Sequence, residues 1–286
     1  MGMNSKIEWT HHTFNPWWGC FRTSPACKHC YAEIWAKRLG MDDLWGKKAS
    51  RRFFSDTHWQ EPLKWNRDAR DAGERHRVFC ASMADVFEDR RDVDPQRDRL
   101  WGLIEATPDL DWLLLTKHID NVARLAPWSG TWPRNIWLGI TAENQTWLER
   151  RIDHLLHHDT AVRFISSEPL LGPLALRPWL RGADGARGVD WVIAGGESGG
   201  KARYMNPAWV EDLRDQCLEA DVAFHFKQWG HWAPEELIAE SISAQAQRVE
   251  VTGRSGRKIR LVKVGKTKGG RMLWGQTWDQ FPQPAF

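Results

Sequence analysis

Long apolar runs are missing from the chain: nothing approaches the roughly 18–20 consecutive apolar residues that a bilayer-spanning helix needs. The N-terminal stretch MGMNSKIEWTHHTFNPWWGC has an early lysine but no continuous apolar segment behind it, so it does not read as a secretory signal. Met1-Gly2 precedes a second methionine, Met3, which reads as an extra start rather than a lipidation signal. These absences lead to the expectation of a cytoplasmic protein with no membrane partner. Charge of one sign is lacking too. With 40 Lys and Arg against 37 Asp and Glu, the formal net charge of +3 does not make the whole surface a nucleic-acid binder. Cysteine is scarce, at 5 residues, and the grouping of Cys20, Cys27 and Cys30 is unlike a secreted disulfide framework. Tyrosine is nearly absent, 2 against 20 tryptophans, so indole rings must wall much of the core or a cleft.

What is present is a rhythm. From about residue 78, apolar β-rich runs end in small or polar residues and most are followed by a helix-like stretch. The runs are VFCASMAD (78–85), DWLLLTK (111–117), NIWLGITAEN (135–144), VRFISSEPL (162–170), VDWVIAGGES (189–198) and VAFHFKQWG (222–230). Near-continuous apolar character is expected of parallel strands covered by helices. Residues 95–106, 144–157 and 207–220 carry apolar side chains at helical spacing. With a further strand around Thr13–Gly19, the pattern predicts an α/β fold: a complete or partial β/α barrel, with an open doubly wound sheet as the runner-up. Residues 31–76 read as a helix followed by a loop or insertion near 40–76, rich in Arg, Asp and Trp. The expected organisation is a barrel over 1–235 and a C-terminal extension over 236–286.

Ligands on parallel α/β scaffolds gather at the carboxyl ends of the strands. Those ends carry Ser82 and Asp85, Thr116 and Lys117, Thr141 and Asn144, Glu168, Gly195, Gly196 and Glu197, then Lys227. Each could simply mark the return of the chain to solvent, and Thr141 or Asn144 could cap the next helix. Lys227 lies among Phe226, Trp229 and Trp232 and is a candidate catalytic or anion-binding cation. The tail from Arg248 to Arg271 holds nine Lys or Arg against one Glu. It reads either as a phosphate-binding, nucleic-acid-facing element or as a hairpin with a basic solvated face.

The segment GCFRTSPACKHCYAE spaces its cysteines C-x6-C-x2-C. Soft thiolates select zinc, copper or iron–sulfur centres. A structural zinc would want a fourth ligand, for which His11, His12 or Cys80 could serve. A [4Fe–4S] cluster on three thiolates would instead leave one iron open. The spacing alone leaves these readings side by side.

The chain also resembles a phage and bacterial family of three-cysteine-motif proteins similar to radical SAM enzymes. The resemblance rests on IEWTHHTFNPWWGCFRTSPACKHCYAE, SMADVF (82–87), LLLTK (113–117), LGITAEN (138–144), SSEPLLGP (166–173), AGGESGGKAR (194–203), FKQWG (226–230) and GGRMLWGQTWDQFP (269–282). It implies a β/α barrel with a [4Fe–4S] cluster on Cys20, Cys27 and Cys30. It further implies S-adenosylmethionine (SAM) at the open iron and its reductive cleavage to a 5′-deoxyadenosyl radical. An external electron donor such as flavodoxin or ferredoxin is implied as partner. Gly195-Gly196-Glu197 resembles the element that contacts the SAM amino group in that family, although it stands late in this chain. The first cysteine gap, six residues where three are usual, departs from the commonest pattern, as does His29 at the usual aromatic position. Trp274 and Gln276 likewise stand where an acidic and a basic residue are expected. A zinc-stabilised nucleic-acid-binding protein and a hydrolase using Glu168, Glu197 or Asp85 as acid and base are the competing readings.

Overall fold

The computed structural model describes residues 2, 5–180, 187–238 and 241–283. In chain order its main elements are β1 (His12–Thr13), α1 (Tyr31–Arg38), α2 (Asp56–Ala72), β2 (His76–Cys80), α3 (Asp94–Glu105), β3 (Leu110–Thr116), α4 (Val122–Leu125) and β4 (Ile136–Thr141). There follow α5 (Gln145–Leu156), β5 (Val162–Ser167), β6 (Trp191–Gly195), α6 (Pro207–Glu219), β7 (Ala223–Gln228), β8 (Trp232–Pro234), β9 (Arg248–Thr252) and β10 (Lys258–Lys263). The six apolar runs each contain a strand. Their burial explains why they read as continuous apolar runs: every residue of β4 and of β5 is buried.

Two compact units divide the chain. One holds the residues up to Ile140 together with Asp153–Arg163, and the other holds Thr141–Ile152 with Phe164–Gln283. In the first, β1, β2, β3 and β4 pair in parallel in chain order, with His12 beside Val78, Val78 beside Trp112 and Trp112 beside Ile136. In the second, β5, β6 and β7 do the same, with Phe164 beside Trp191 and Trp191 beside Ala223. Neither series reverses its order, so neither has the switch point of a doubly wound sheet. This is the singly wound topology of a partial β/α barrel.

Two sequence expectations need correction. The strand anticipated at Thr13–Gly19 is only His12–Thr13, after which Trp18 bridges in antiparallel fashion to Arg52. Within the presumed insertion, residues 56–72 form the 17-residue helix α2. Trp59, Pro62, Trp65, Asn66 and Ala69 face inward at helical spacing, but Pro62 and the charged residues between them disguise the period. Gly73 closes the helix in the left-handed conformation, at φ +66°.

The C-terminal residues form the anticipated hairpin, enlarged to an antiparallel sheet in the order β8-β10-β9 within the second unit. Much of its basic character is offset by acids. Arg248 pairs with Glu235, Arg257 with Glu236, Arg254 with Asp215, Arg271 with Asp279 and Lys258 with Glu250.

Histidines accumulate where β1 begins. The His11 ring accepts the Arg77 N–H at 2.8 Å, and His12 lies flat on Trp65 with its Nε2 3.2 Å from Nδ1 of His76. Burial pushes His11 and His12 down to about 4, helped by the Arg77 charge at His11 and by His76 at both. Burial likewise holds His158 at about 4. An unfolded histidine titrates near ~6.5, so between that value and about 4 the unfolded chain binds protons that the folded chain refuses. Stability should therefore fall as pH drops through this window and level off below it. Urea midpoints at pH 7, 5.5 and 4.5 should decline, with a shallower decline in His11→Gln; equal slopes in both proteins would refute the assignment.

Candidate functional site

The three clustered cysteines are all free thiols. Cys20 lies on an extended segment that bridges to Trp45, whereas Cys27 ends a short turn over Pro25–Cys27 and Cys30 caps the N-terminus of α1. Ala32 and Ala36 of α1 pack with Met83, flanked by Trp18, Met41 and Trp45, and the Tyr31 hydroxyl donates to the Ser82 carbonyl at 2.7 Å. The cysteine loop is thus seated on residues that follow β2. Electrostatics tie the sulfurs together: Cys20 feels Cys30, Cys30 feels Cys27, and the Lys117 ammonium bears on all three. Burial pushes the Cys20 thiol well up, reinforced by Asp85 and Glu88, and burial also raises Cys30. At Cys27 burial works in the same direction, but Lys117 and hydrogen bonds from Thr23 and Ser24 outweigh it and lower the thiol. The donor set is right in kind for an iron–sulfur cluster. Among the described residues, however, no group of three or more His, Cys, Asp or Glu side chains is drawn together closely enough to hold a metal ion.

The other predicted residues of the first unit surround this loop through a hydrogen-bonded brace. Asp85 accepts from the Thr116 hydroxyl at 2.7 Å, from the Lys117 N–H at 2.8 Å and from the Phe87 N–H at 3.1 Å. Both of its oxygens are engaged, which fixes the end of β3 and the backbone of Lys117. The Ser82 hydroxyl meets the Asn15 amide at 3.1 Å. Sequence reasoning missed His118, the residue after Lys117. Its ring packs 4.8 Å from Phe21, the neighbour of Cys20, and its buried Nε2 has no hydrogen-bond partner. The signal was available in the sequence, as a second titratable side chain at the same strand end.

In the second unit three of the sequence motifs converge. Lys227 of β7 donates to Glu168 at 2.8 Å, and Gly195 of β6 lies between them; a Cβ on Gly195 would stand 3.3 Å from Glu168 Oε1. That oxygen is buried and, among the described residues, no group donates to it; the hydroxyls of Thr141 and Ser167 are likewise buried without partners there. Asn144 instead serves α5, its side chain accepting the Trp147 N–H at 3.2 Å. Glu197 is held by Arg203, whose main-chain N–H and Nε both donate to Oε2, at 2.8 and 3.0 Å. Gly196 has a packing reason: a Cβ there would lie 1.9 Å from the Trp229 carbonyl oxygen. The Gly-Gly-Glu element therefore joins two chain segments, and its carboxylate is already occupied.

Comparison with known proteins gives a family and a likeness of fold. The family described as "Protein of unknown function (DUF5131)" matches residues 4–282, and the chain belongs to it. No curated protein matches. Among solved structures, the chain is similar to spore photoproduct lyase complexed with dinucleoside spore photoproduct, at 14% identity and a TM-score of 0.46, covering 92% of this chain and 71% of that one. A spore photoproduct lyase mutant with bound AdoMet and the same dinucleoside is similar at 13% identity and a TM-score of 0.43, covering 92% and 73%.

The packing account of Gly196 has a direct consequence. Gly196→Ala must displace backbone rather than a flexible side chain, and a loss of about 3 kcal/mol in urea denaturation is expected. A fully stable variant would show that the glycine is there for another reason.

Proposed function

We propose that the chain is a radical SAM enzyme in which Cys20, Cys27 and Cys30 hold a [4Fe–4S] cluster and S-adenosylmethionine is the cofactor. The observation that carries this reading is the loop of three free, electrostatically coupled thiols, with one ammonium, Lys117, bearing on all of them. When bound, the cluster would supply the electron for reductive cleavage of SAM to methionine and a 5′-deoxyadenosyl radical.

The chain's own residues then have definite tasks. Lys117, its backbone fixed by Asp85, opposes the negative charge of three thiolates and is suited to a SAM carboxylate. The unpartnered Nε2 of His118 is available to donate or accept a hydrogen bond from a ligand in the first unit. In the second unit the Thr141 and Ser167 hydroxyls and Glu168 Oε1 can receive hydroxyl or amino groups, while Lys227 holds Oε2 of Glu168 in an ion pair. Glu197 and Gly196 carry less of the cofactor role that resemblance gives them, because Arg203 and Trp229 account for both.

Two partners belong to this reading. Tyr31, Ile34, Trp35 and Leu39 form an exposed apolar stripe on and just after α1, which starts directly after Cys30. Lys28 and Arg38 lie on the same stretch, while Arg22 and Lys37 are paired with Glu33, so the face joins exposed apolar side chains to a modest positive charge and suits an acidic one-electron donor such as flavodoxin or ferredoxin. A nucleic-acid or other phosphate-bearing substrate is the second partner. The basic tail lends it little support, since its arginines are largely committed to acids. Among the described residues no helix is long and apolar enough to cross a membrane.

Anaerobic reconstitution should give about four iron and four sulfide per chain, with a spectral change on adding SAM and release of 5′-deoxyadenosine under reduction. Cys27→Ala should lose the cluster while remaining folded. One zinc per chain with no SAM turnover would replace this reading with that of a zinc-stabilised module.

A further inference from the structure

The three cysteines are carried on two arms that share the packing around Met83, and the Cys20 arm has an additional anchor. The Cys27–Cys30 arm is tied to α1, where Glu33 accepts from Arg22 at 2.8 Å and from Lys37 at 2.9 Å. The backbone of the Cys20 arm is paired with the segment 44–52: the Cys20 carbonyl accepts the Gly46 N–H at 2.9 Å, and Trp18 and Arg52 exchange hydrogen bonds at 2.9 and 3.0 Å. Gly19 lies so close to this segment that a Cβ would stand 2.6 Å from the Leu44 carbonyl oxygen and 2.7 Å from Cδ of Arg51, and its φ of +118° admits glycine.

Segment 44–52 is in turn organised by one side chain. Nη1 of Arg51 donates to the carbonyls of Leu44, Ala49 and Ser50, each at 3.1 Å. The same guanidinium makes a two-point contact with Glu88, Nε to Oε1 and Nη2 to Oε2, both at 2.8 Å. Trp17 Nε1 adds a third donor to Glu88 Oε1 at 3.1 Å. Both charged side chains are completely buried. Glu88 follows β2, so a fixed point in the first unit is linked through Arg51 to the extended segment that carries Cys20. Cys30 meets this arm through apolar packing, on the Ala32, Ala36 and Met83 cluster that Trp18 and Trp45 also join.

We propose that the Arg51–Glu88 pair is the positioning element for Cys20, setting where the first thiol is presented to the cluster. The proposal rests on the radical SAM reading for what the thiol binds, and the geometry of the arm stands apart from it. It also gives the unusually wide first cysteine gap a physical role. Six intervening residues leave room for this extra anchor on the Cys20 side, alongside the Arg22 link to Glu33 of α1.

The test uses the full chain, first without metal and then reconstituted. The variants are Glu88→Gln, which keeps volume and weakens the ionic contact, and the pair Arg51→Met with Glu88→Leu, which removes both charges together. Native-state alkylation by iodoacetamide, read by mass spectrometry for each cysteine, should show Cys20 reacting about tenfold faster while Cys27 is unchanged. Iron bound after reconstitution should fall in parallel, and Arg51→Lys should recover only part of it because an ammonium cannot make the two-point contact. If the double variant does not fold, Glu88→Gln decides alone. Unchanged Cys20 reactivity in a folded variant, or a rise shared equally by Cys27, would overturn the proposal. Wild-type protein that takes up no iron, with Cys20 still selectively released in the variants, would reject the cluster and leave the positioning role standing.

Discussion

Arg51 and Glu88 are opposite charges with no access to solvent, and such a pair can persist only where every hydrogen-bonding atom is accounted for. Here the accounting reaches far along the chain. The carboxylate takes two guanidinium contacts and the Trp17 indole, while Arg51 collects the carbonyls of its own segment. Arg97 donates to the Glu88 and Val86 carbonyls, at 2.7 and 2.8 Å, and thereby ties α3 to the same point. One buried contact thus connects the cysteine-bearing segment, the region after β2 and a helix of the first unit. Removing either partner alone would leave a buried charge uncompensated, which typically costs about 3–5 kcal/mol. The irregular segment between α1 and α2 is held by internal ionic and backbone bonds more than by apolar packing.

The second unit solves a related problem by different means. Gly196 and Gly230 allow two segments to touch at their backbones; a Cβ on Gly230 would lie 2.3 Å from the Glu197 carbonyl oxygen. Gly195 leaves room beside Glu168 and Lys227 for their ion pair. Close backbone approach therefore brings the motifs AGGESGG and FKQWG together, and SSEP joins them through a charge pair. Among the described residues, Glu168 Oε1, the Thr141 and Ser167 hydroxyls and Gln228 Oε1 are buried without a hydrogen-bond partner, which is uncommon in native proteins.

Much of this was legible in the residues. Strands such as Leu110–Thr116 declare themselves because burial on both faces demands an unbroken apolar run, and the strand-end polar residues follow by topology. The cysteine spacing pointed to one loop of grouped thiols, and all three are free in the fold. Helix α2 was illegible because its inward face includes Pro62 and Asn66, which weaken the apolar period on which such readings depend. The fate of each carboxylate was illegible for another reason. Asp85, Glu168 and Glu197 looked equivalent as acids, yet the fold engages the first with backbone and hydroxyl donors and the third with a neighbouring arginine. Only Glu168 keeps an oxygen unengaged, and that depends on Lys227, 59 positions away.

Glu88 shows why this distinction matters for function. By residue type alone, an acid at a strand end beside a cysteine loop belongs with the ligand-binding candidates. Full burial and three protein donors give it the opposite character: it cannot reach a ligand, but it can decide where a ligand-binding residue stands. Arg51 likewise sits in a stretch that reads as a charged surface loop. Under the proposed reading the chemistry rests on Cys20, Cys27, Cys30 and Lys117, while the segment that carries Cys20 is held by residues that composition would place in solvent. In an α/β fold whose first cysteine lies on an irregular segment rather than on a strand or helix, a buried ion pair supplies the rigidity that secondary structure would otherwise provide.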